Sequence, residues 1–194
     1  MNVRNTLIAA AVGTLFASMA FAQTATEVQR DINQQNRIEQ GLQSGQLNTR
    51  EAGRLEREEA GVEHMEAHAA KDGSVSAQEA ARIKAAQDKV SQDIYREKHD
   101  AQTGNPNSAS SQRMQADVQR NVNQQNRIEQ GVQSGQLTTR EAGRLERGQA
   151  RDNRLQARAT RDGHVGAGEQ DRIQAAENHQ SKRIWRKKHN DRMQ

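Results

Sequence analysis

The chain has 194 residues, with 29 Lys and Arg against 25 Asp and Glu, a formal charge of +4 and no cysteine. Lack of cysteine excludes disulfides, thiol nucleophiles and thiolate metal sites. With aromatic residues at 2% and a mean hydropathy of −1.12, there is little material for a large apolar core, and the chain can fold only through helices that bury narrow stripes.

The first 22 residues have the three parts of an export signal. Arg4 supplies the positive charge, Leu7 to Ala17 is apolar, and Ala20-Phe21-Ala22 fits a small-x-small cleavage site. Cleavage between Ala22 and Gln23 is expected, which sends the rest to the periplasm or outside the cell. The apolar stretch is too short to span a membrane.

From Glu27 to Asp100 the sequence returns without a gap at Asp117 to Asn190, at an offset of 90, with 43 of 74 positions identical. Each copy predicts three helices. The first, from about Glu27 to Ser44, carries Val28, Ile32, Ile38 and Leu42 at helical spacing and stops at Gly45. Asn48-Thr49-Arg50-Glu51, with Leu47 before it, is a capping box that opens the second helix, which ends at Asp72-Gly73. Ser76-Ala77-Gln78-Glu79 opens the third, with Ile83, Val90 and Ile94 on one stripe. The second copy repeats the plan, with Gly166 in place of Ser76, Asp152 in place of Val62 and Gln180 in place of Val90. The fold class expected is all-α: two tandem three-helix antiparallel bundles joined by a flexible linker. The divisions are a signal over 1–22, a first helical repeat over 23–100, a linker over 101–113 holding the only proline, Pro106, and a second repeat over 114–194. The first copy has 11 basic and 15 acidic residues and the second has 15 and 9, so association of an acidic with a basic repeat is expected alongside two independently solvated surfaces.

The four turns resemble the second half of an EF-hand loop, which wants Gly, then an aliphatic residue, then Glu. Gly45-Leu47-Glu51, Gly73-Val75-Glu79, Gly135-Leu137-Glu141 and Gly163-Val165-Glu169 follow that order, and Asp72 and Asp162 precede two of the glycines. The resemblance implies Asp72, Glu79, Asp162 and Glu169 as metal ligands. The first half of the loop is missing, since Gln40, Leu42, His68 and Ala70 stand where carboxylates belong, so calcium is not expected and helix capping explains the same residues. Leu137-Thr138-Thr139-Arg140-Glu141 is similar to the Leu-Thr-x-x-Gln motif of the Spy/CpxP-like periplasmic proteins, which implies an exported helical protein of envelope stress.

His64 and His68 lie one helical turn apart, with Glu63 beside them, a spacing that serves zinc, copper or nickel. Two surface histidines with no ligand role give the same pattern. No nucleophile–base pair or phosphate loop stands out, so no catalytic residue is expected. The functional expectation is an exported, non-catalytic helical protein of envelope stress that binds other proteins or an anionic envelope surface. The alternative is a periplasmic metal-binding or metal-buffering protein. Nucleic acid is not an expected partner.

Overall fold

In the computed structural model residues 7–190 are described, with side chains from residue 23 onward, and the secondary structure among them is entirely helical. The side chains of the expected signal, residues 1–22, lie outside the described residues. The helices are α1 (Leu7–Ser44), α2 (Thr49–Ala69), α3 (Ala77–Lys98), α4 (Ala109–Gln133), α5 (Thr139–Ala159) and α6 (Ala167–Lys188), with a single 3-10 turn at Ala70–Asp72. No helix among the described residues is long and apolar enough to cross a membrane.

The local signals act as read. Asn48 Oδ1 accepts from the backbone N–H of Arg50 and Glu51 at 3.0 Å, and Glu51 accepts from Asn48 N at 2.9 Å. Ser76 with Glu79 and Thr138 with Glu141 close equivalent boxes. At α6 only half the box survives, because Gly166 has no side chain to accept and Glu169 alone reaches back, at 2.9 Å. Gly45, Gly73, Gly135 and Gly163 have φ between 72° and 98°, the left-handed geometry that ends each preceding helix.

The two copies do not form two bundles. The closest helix packing is between copies, α2 against α5 and α1 against α4, with α3 lying on α1 and α2 and α6 on α4 and α5. Both inter-copy pairs are antiparallel. Arg147 donates to Ala67 O and Arg154 to Ala60 O across α2–α5, while Met114 and Val118 of α4 join Ile38, Leu42 and Leu47 in one apolar cluster. Val28 and Ile32 of α1 complete the other copy's cluster beside Ile128 and Val132. Neither copy closes a core alone, because the large apolar side chains of one are needed to cover the other. The two-bundle division therefore gives way to a single six-helix body with pseudo-twofold symmetry. Arg50 donates to Asp162 O at 3.0 Å, as its counterpart Arg140 donates to Asp72 O at 2.8 Å.

The connection between copies is also shorter than 101–113, since Ser108 caps α4 and Ala109 is already helical. Gly104 N donates to Gly45 O at 2.8 Å, which ties the connection to the first turn. Asp152 and Gln180 are buried, as their alignment with Val62 and Val90 predicts. Gln180 fits because Gly148 stands where the first copy has Glu58, and its Nε2 donates to Leu145 O at 2.8 Å.

Two glycines set the α2–α5 distance. A Cβ on Gly53 would stand 1.6 Å from Thr160 Oγ1, and one on Gly143 would stand 2.5 Å from the Ala70 Cβ. Gly61 lies on the same helix as Gly53 with nothing within 4 Å. Glycine inside a helix normally costs about 0.5–1 kcal/mol relative to alanine, so Gly61→Ala should raise the melting temperature. Gly53→Ala should lower it, by about 1–3 kcal/mol of overpacking. Thermal melts followed by circular dichroism check the opposite signs.

Candidate functional site: a basic groove outside and a carboxylate centre inside

The residues singled out by the EF-like turns are engaged by their own backbone. Asp72 Oδ1 accepts from Ser74 N at 3.0 Å, and Asp162 Oδ1 from His164 N at 2.9 Å. Glu79 accepts from Ser76 N at 3.0 Å and Glu169 from Gly166 N. His64 and His68 are exposed and line an open groove of about 390 Å³ between α2 and α3, together with Met65, Glu79 and Arg82. Glu63 does not join them. It turns into the interior, where both of its oxygens accept from Asn153 Nδ2 at 3.0 Å.

Charge is sorted by depth. Among the described residues 14 of 24 Asp and Glu are buried, while none of the 27 Lys and Arg is. The acidic excess of the first copy is therefore mostly internal, and no ion pair among the described residues joins the two copies. The acidic and the basic copy do pack on one another, through apolar and hydrogen-bonded contacts and without ion pairs.

Outside, the groove between α5 and α6 of about 500 Å³ is lined by Arg151, Arg154, Arg158, His179 and Arg183, with Asp152 at its base. It meets a second concavity of about 470 Å³ at Arg183, which adds Arg186 and Lys187. On α5 the arginines follow helical spacing and extend to Arg147, a stripe of about 16 Å. Arg183 donates to Gln180 Oε1 and Arg144 O, which hold it half-buried; burial and then Arg151 pull its guanidinium below the ordinary arginine range. Burial pushes the Asp152 carboxyl up to about 7 against the pull of Arg151 and Arg183. In the first copy the same positions hold Gly61, His64, His68 and Asp93, so this groove is basic in one copy only.

Inside, α2 presents Glu56, Glu59, Glu63 and Glu66 to α5, and all four are buried. Their counterparts Glu146, Gln149, Asn153 and Gln156 face back from α5. Spaced 3, 4 and 3, the glutamates form one helical stripe, a periodicity visible in the sequence. Asp31 of α1 and Gln87 of α3 complete the first copy's part. Gln87 Nε2 donates to Asp31 Oδ1 at 2.9 Å, to Glu66 Oε1 at 3.1 Å and to Glu27 O at 3.1 Å. Carboxylate oxygens of Asp31, Glu66 and Glu146 lie within 4.8 Å of one another, all buried. Glu51, Glu97 and Asp100 form a second such group near the end of α3, where Arg54 pairs with Glu97 at 3.0 Å.

Burial raises the interior carboxyls. Glu27 and Asp31 are pushed to about 7 and Glu56 and Glu146 to about 8, chiefly by desolvation, and Glu59, Glu63 and Glu66 are held well above the ordinary carboxylate range by desolvation and then by neighbouring acids. No protein-family model, curated protein sequence or solved structure matches the chain.

The raised carboxyls fix a pH dependence. A carboxyl whose folded pKa lies above its unfolded value, near 4, favours the fold fully below that value, and the benefit is lost as pH rises through 7 to 8. In chelator, the melting temperature should therefore fall steadily from pH 5 to pH 8.5. A flat or rising profile over that range would show that these groups are not buried as described.

Proposed function

We propose that this chain is an exported, non-catalytic helical protein that binds a linear anionic polymer of the cell envelope along the groove between α5 and α6. The observation that carries the reading is the one-sided basic groove. Arg151, Arg154, Arg158 and Arg183 converge on it, and none of them forms an ion pair with another described side chain. Arginine presents a planar fork of donors that matches carboxylate, sulfate and phosphate, and it holds its proton across the physiological range, so it recognises anions without serving as a general acid or base.

Shape favours a chain over a plane, because the cations line two walls of a trough instead of a flat face. No Trp, Tyr or Phe side chain lines the trough: Trp185, 57% exposed, stacks on His189 at 4.6 Å outside it. Bases would find no large aromatic platform to stack on, which disfavours nucleic acid. Export, from the signal over residues 1–22, puts the groove among the anionic glycans of the envelope, and an envelope-stress role is the form of this reading that the Spy/CpxP-like resemblance implies.

Dextran sulfate, alginate and phosphatidylglycerol vesicles serve as probes. The chain should bind both polymers, with affinity that falls as salt rises. Arg151→Gly/Arg154→His/Arg158→His, which installs the first copy's own residues, should weaken binding about tenfold or more at pH 7.5. His64→Ala/His68→Ala should leave it unchanged. Equal affinity in the triple variant would overturn the proposal, and binding to vesicles without binding to polymers would replace it with attachment to a lipid surface.

A further inference from the structure

We propose that Asp31, Glu66 and Glu146 form an interior binding site for one hard divalent cation of the calcium, manganese or magnesium kind. The site joins the copies, since Asp31 and Glu66 come from the first and Glu146 from the second. Oxygens on opposite sides of one calcium ion stand about 4.6–5.2 Å apart, and around magnesium about 4.2 Å. A set of carboxylate oxygens within 4.8 Å of one another is sized for a single such ion.

Unmet oxygens on the same three residues are the second indication. Asp31 Oδ2, Glu66 Oε2 and Glu146 Oε1 are sealed from solvent, and no amide, hydroxyl or cationic donor reaches them; the Asp31 and Glu66 carboxyls face each other as a proton-sharing pair would. Orphaned carboxylate oxygens at such depth are costly unless a proton or a cation meets them. No Lys or Arg forms an ion pair with any of the three. Arg30, the nearest candidate by sequence, pairs instead with Asp88.

Pseudo-symmetry supplies an internal control. The same three positions in the other half of the molecule are Asn121, Gln156 and Glu56, which carry one carboxylate instead of three. That half is largely closed by amides, with Glu56 Oε1 its one unmet carboxylate oxygen. Asn121 Nδ2 donates to Gln156 Oε1 at 3.0 Å and Gln156 Nε2 returns to Asn121 Oδ1 at 3.3 Å. Gln156 also donates to Glu177, the counterpart of Gln87, at 3.2 Å, and Arg120 pairs with Glu177 at 3.1 Å. Amides and an arginine thus meet most of one centre from within, while its twin keeps three carboxylates and no ion pair.

Donor chemistry selects the class of ion. The centre offers carboxylate oxygens and, on Gln125, an unpartnered amide oxygen, since Gln125 Nε2 donates to Glu146 Oε2 at 3.0 Å and leaves Oε1 without a partner. Oxygen-only surroundings suit calcium, manganese and magnesium rather than zinc or copper. Glu59 and Glu63, close by on α2, deepen the negative field without contributing a nitrogen or sulfur. A groove of about 280 Å³ between α1 and α3, lined by Glu27, Arg30, Lys84 and Gln87, leads in from the surface. Gln87 stands at its inner end, its amide already reaching Asp31 and Glu66.

The test uses the whole chain, stripped with chelator and titrated with calcium, manganese or magnesium chloride by calorimetry at pH 7 in two buffers of different ionisation enthalpy. One ion per chain should bind, with release of about one proton or more, and should raise the melting temperature most at pH 8. Asp31→Asn/Glu66→Gln, which copies the closed twin, should abolish binding while keeping the helical circular dichroism and raising the alkaline stability of the metal-free chain. Glu146→Gln is the second variant, should the double one fail to fold, and it should also abolish binding. His64→Ala/His68→Ala should bind as the unaltered chain does. Absence of heat and of any melt shift with all three ions would refute the site and leave a centre that holds protons alone. Binding that survives either carboxylate variant would refute the assignment of ligands.

Discussion

The approach of α2 to α5 governs the rest of the molecule. Gly53 lies on Thr160 and Gly143 on Ala70, and between these two points the helices run antiparallel and near enough for their facing side chains to be sealed from water. What faces the seam is polar. Four glutamates on one side meet a glutamate, two glutamines and an asparagine on the other, so the contact that joins the copies also strips solvent from a row of ionisable groups. Such a seam is a poor source of stability, because desolvation offsets much of each hydrogen bond. It is a good source of register. Asn153 donates to both oxygens of Glu63 and Gln125 to Glu146, and sliding one helix by a turn would leave several buried carboxylates facing each other with no donor.

Sealing the acids has a consequence for the surface. The formal charge of +4 counts every carboxylate as exposed and ionised, yet more than half of the described ones are inside and several of those hold their protons near neutral pH. No described Lys or Arg is buried. The molecule therefore meets its surroundings as a far more cationic object than its composition states. The basic groove of α5–α6 is part of a surface whose compensating charge has been folded away.

Helix boundaries, caps and left-handed glycines were legible because they are set by a few residues in local contact, as Asn48 with Glu51 and the glycine at 73 demonstrate. The joining of the copies was not, and the reason is specific. An amphipathic reading takes apolar residues as the inner face and charged ones as the outer, which assigns Leu55, Val62 and Ala69 to the core and Glu56, Glu59, Glu63 and Glu66 to water. Both faces of α2 are in fact buried, one against α3 and one against α5. A signal did exist. Across the repeat Glu59 becomes Gln149, Glu63 becomes Asn153 and Glu66 becomes Gln156, changes that trade charge for neutrality while retaining a polar amide-sized head. A solvated face has no need to keep its shape while losing its charge, whereas a packed polar seam does. Glu63 parts from the histidine pair for a related reason: adjacency in sequence is a rotation of about 100° on a helix, and that rotation separates a surface groove from the interior.

Duplication within one chain also explains why the two halves differ in opposite senses. Two identical units packed about a twofold axis would be obliged to place the same side chain at both symmetry-related positions, so any acid added to the centre would appear twice and any surface arginine would appear on both flanks. Covalent linkage removes that obligation. Asp31 and Glu66 sit opposite Asn121 and Gln156, so the carboxylates crowd into one half of the seam and the amides that neutralise it into the other. Arg151, Arg154, Arg158 and Arg183 sit opposite Gly61, His64, His68 and Asp93, so the cations crowd onto one outer face. The turn glycines, the seam glycines at 53 and 143 and the arginines at 50 and 140 remain the same in both. The scaffold is symmetric and the chemistry is not. The asymmetry is possible because symmetric contacts carry the fold, leaving the seam and the outer groove free to diverge.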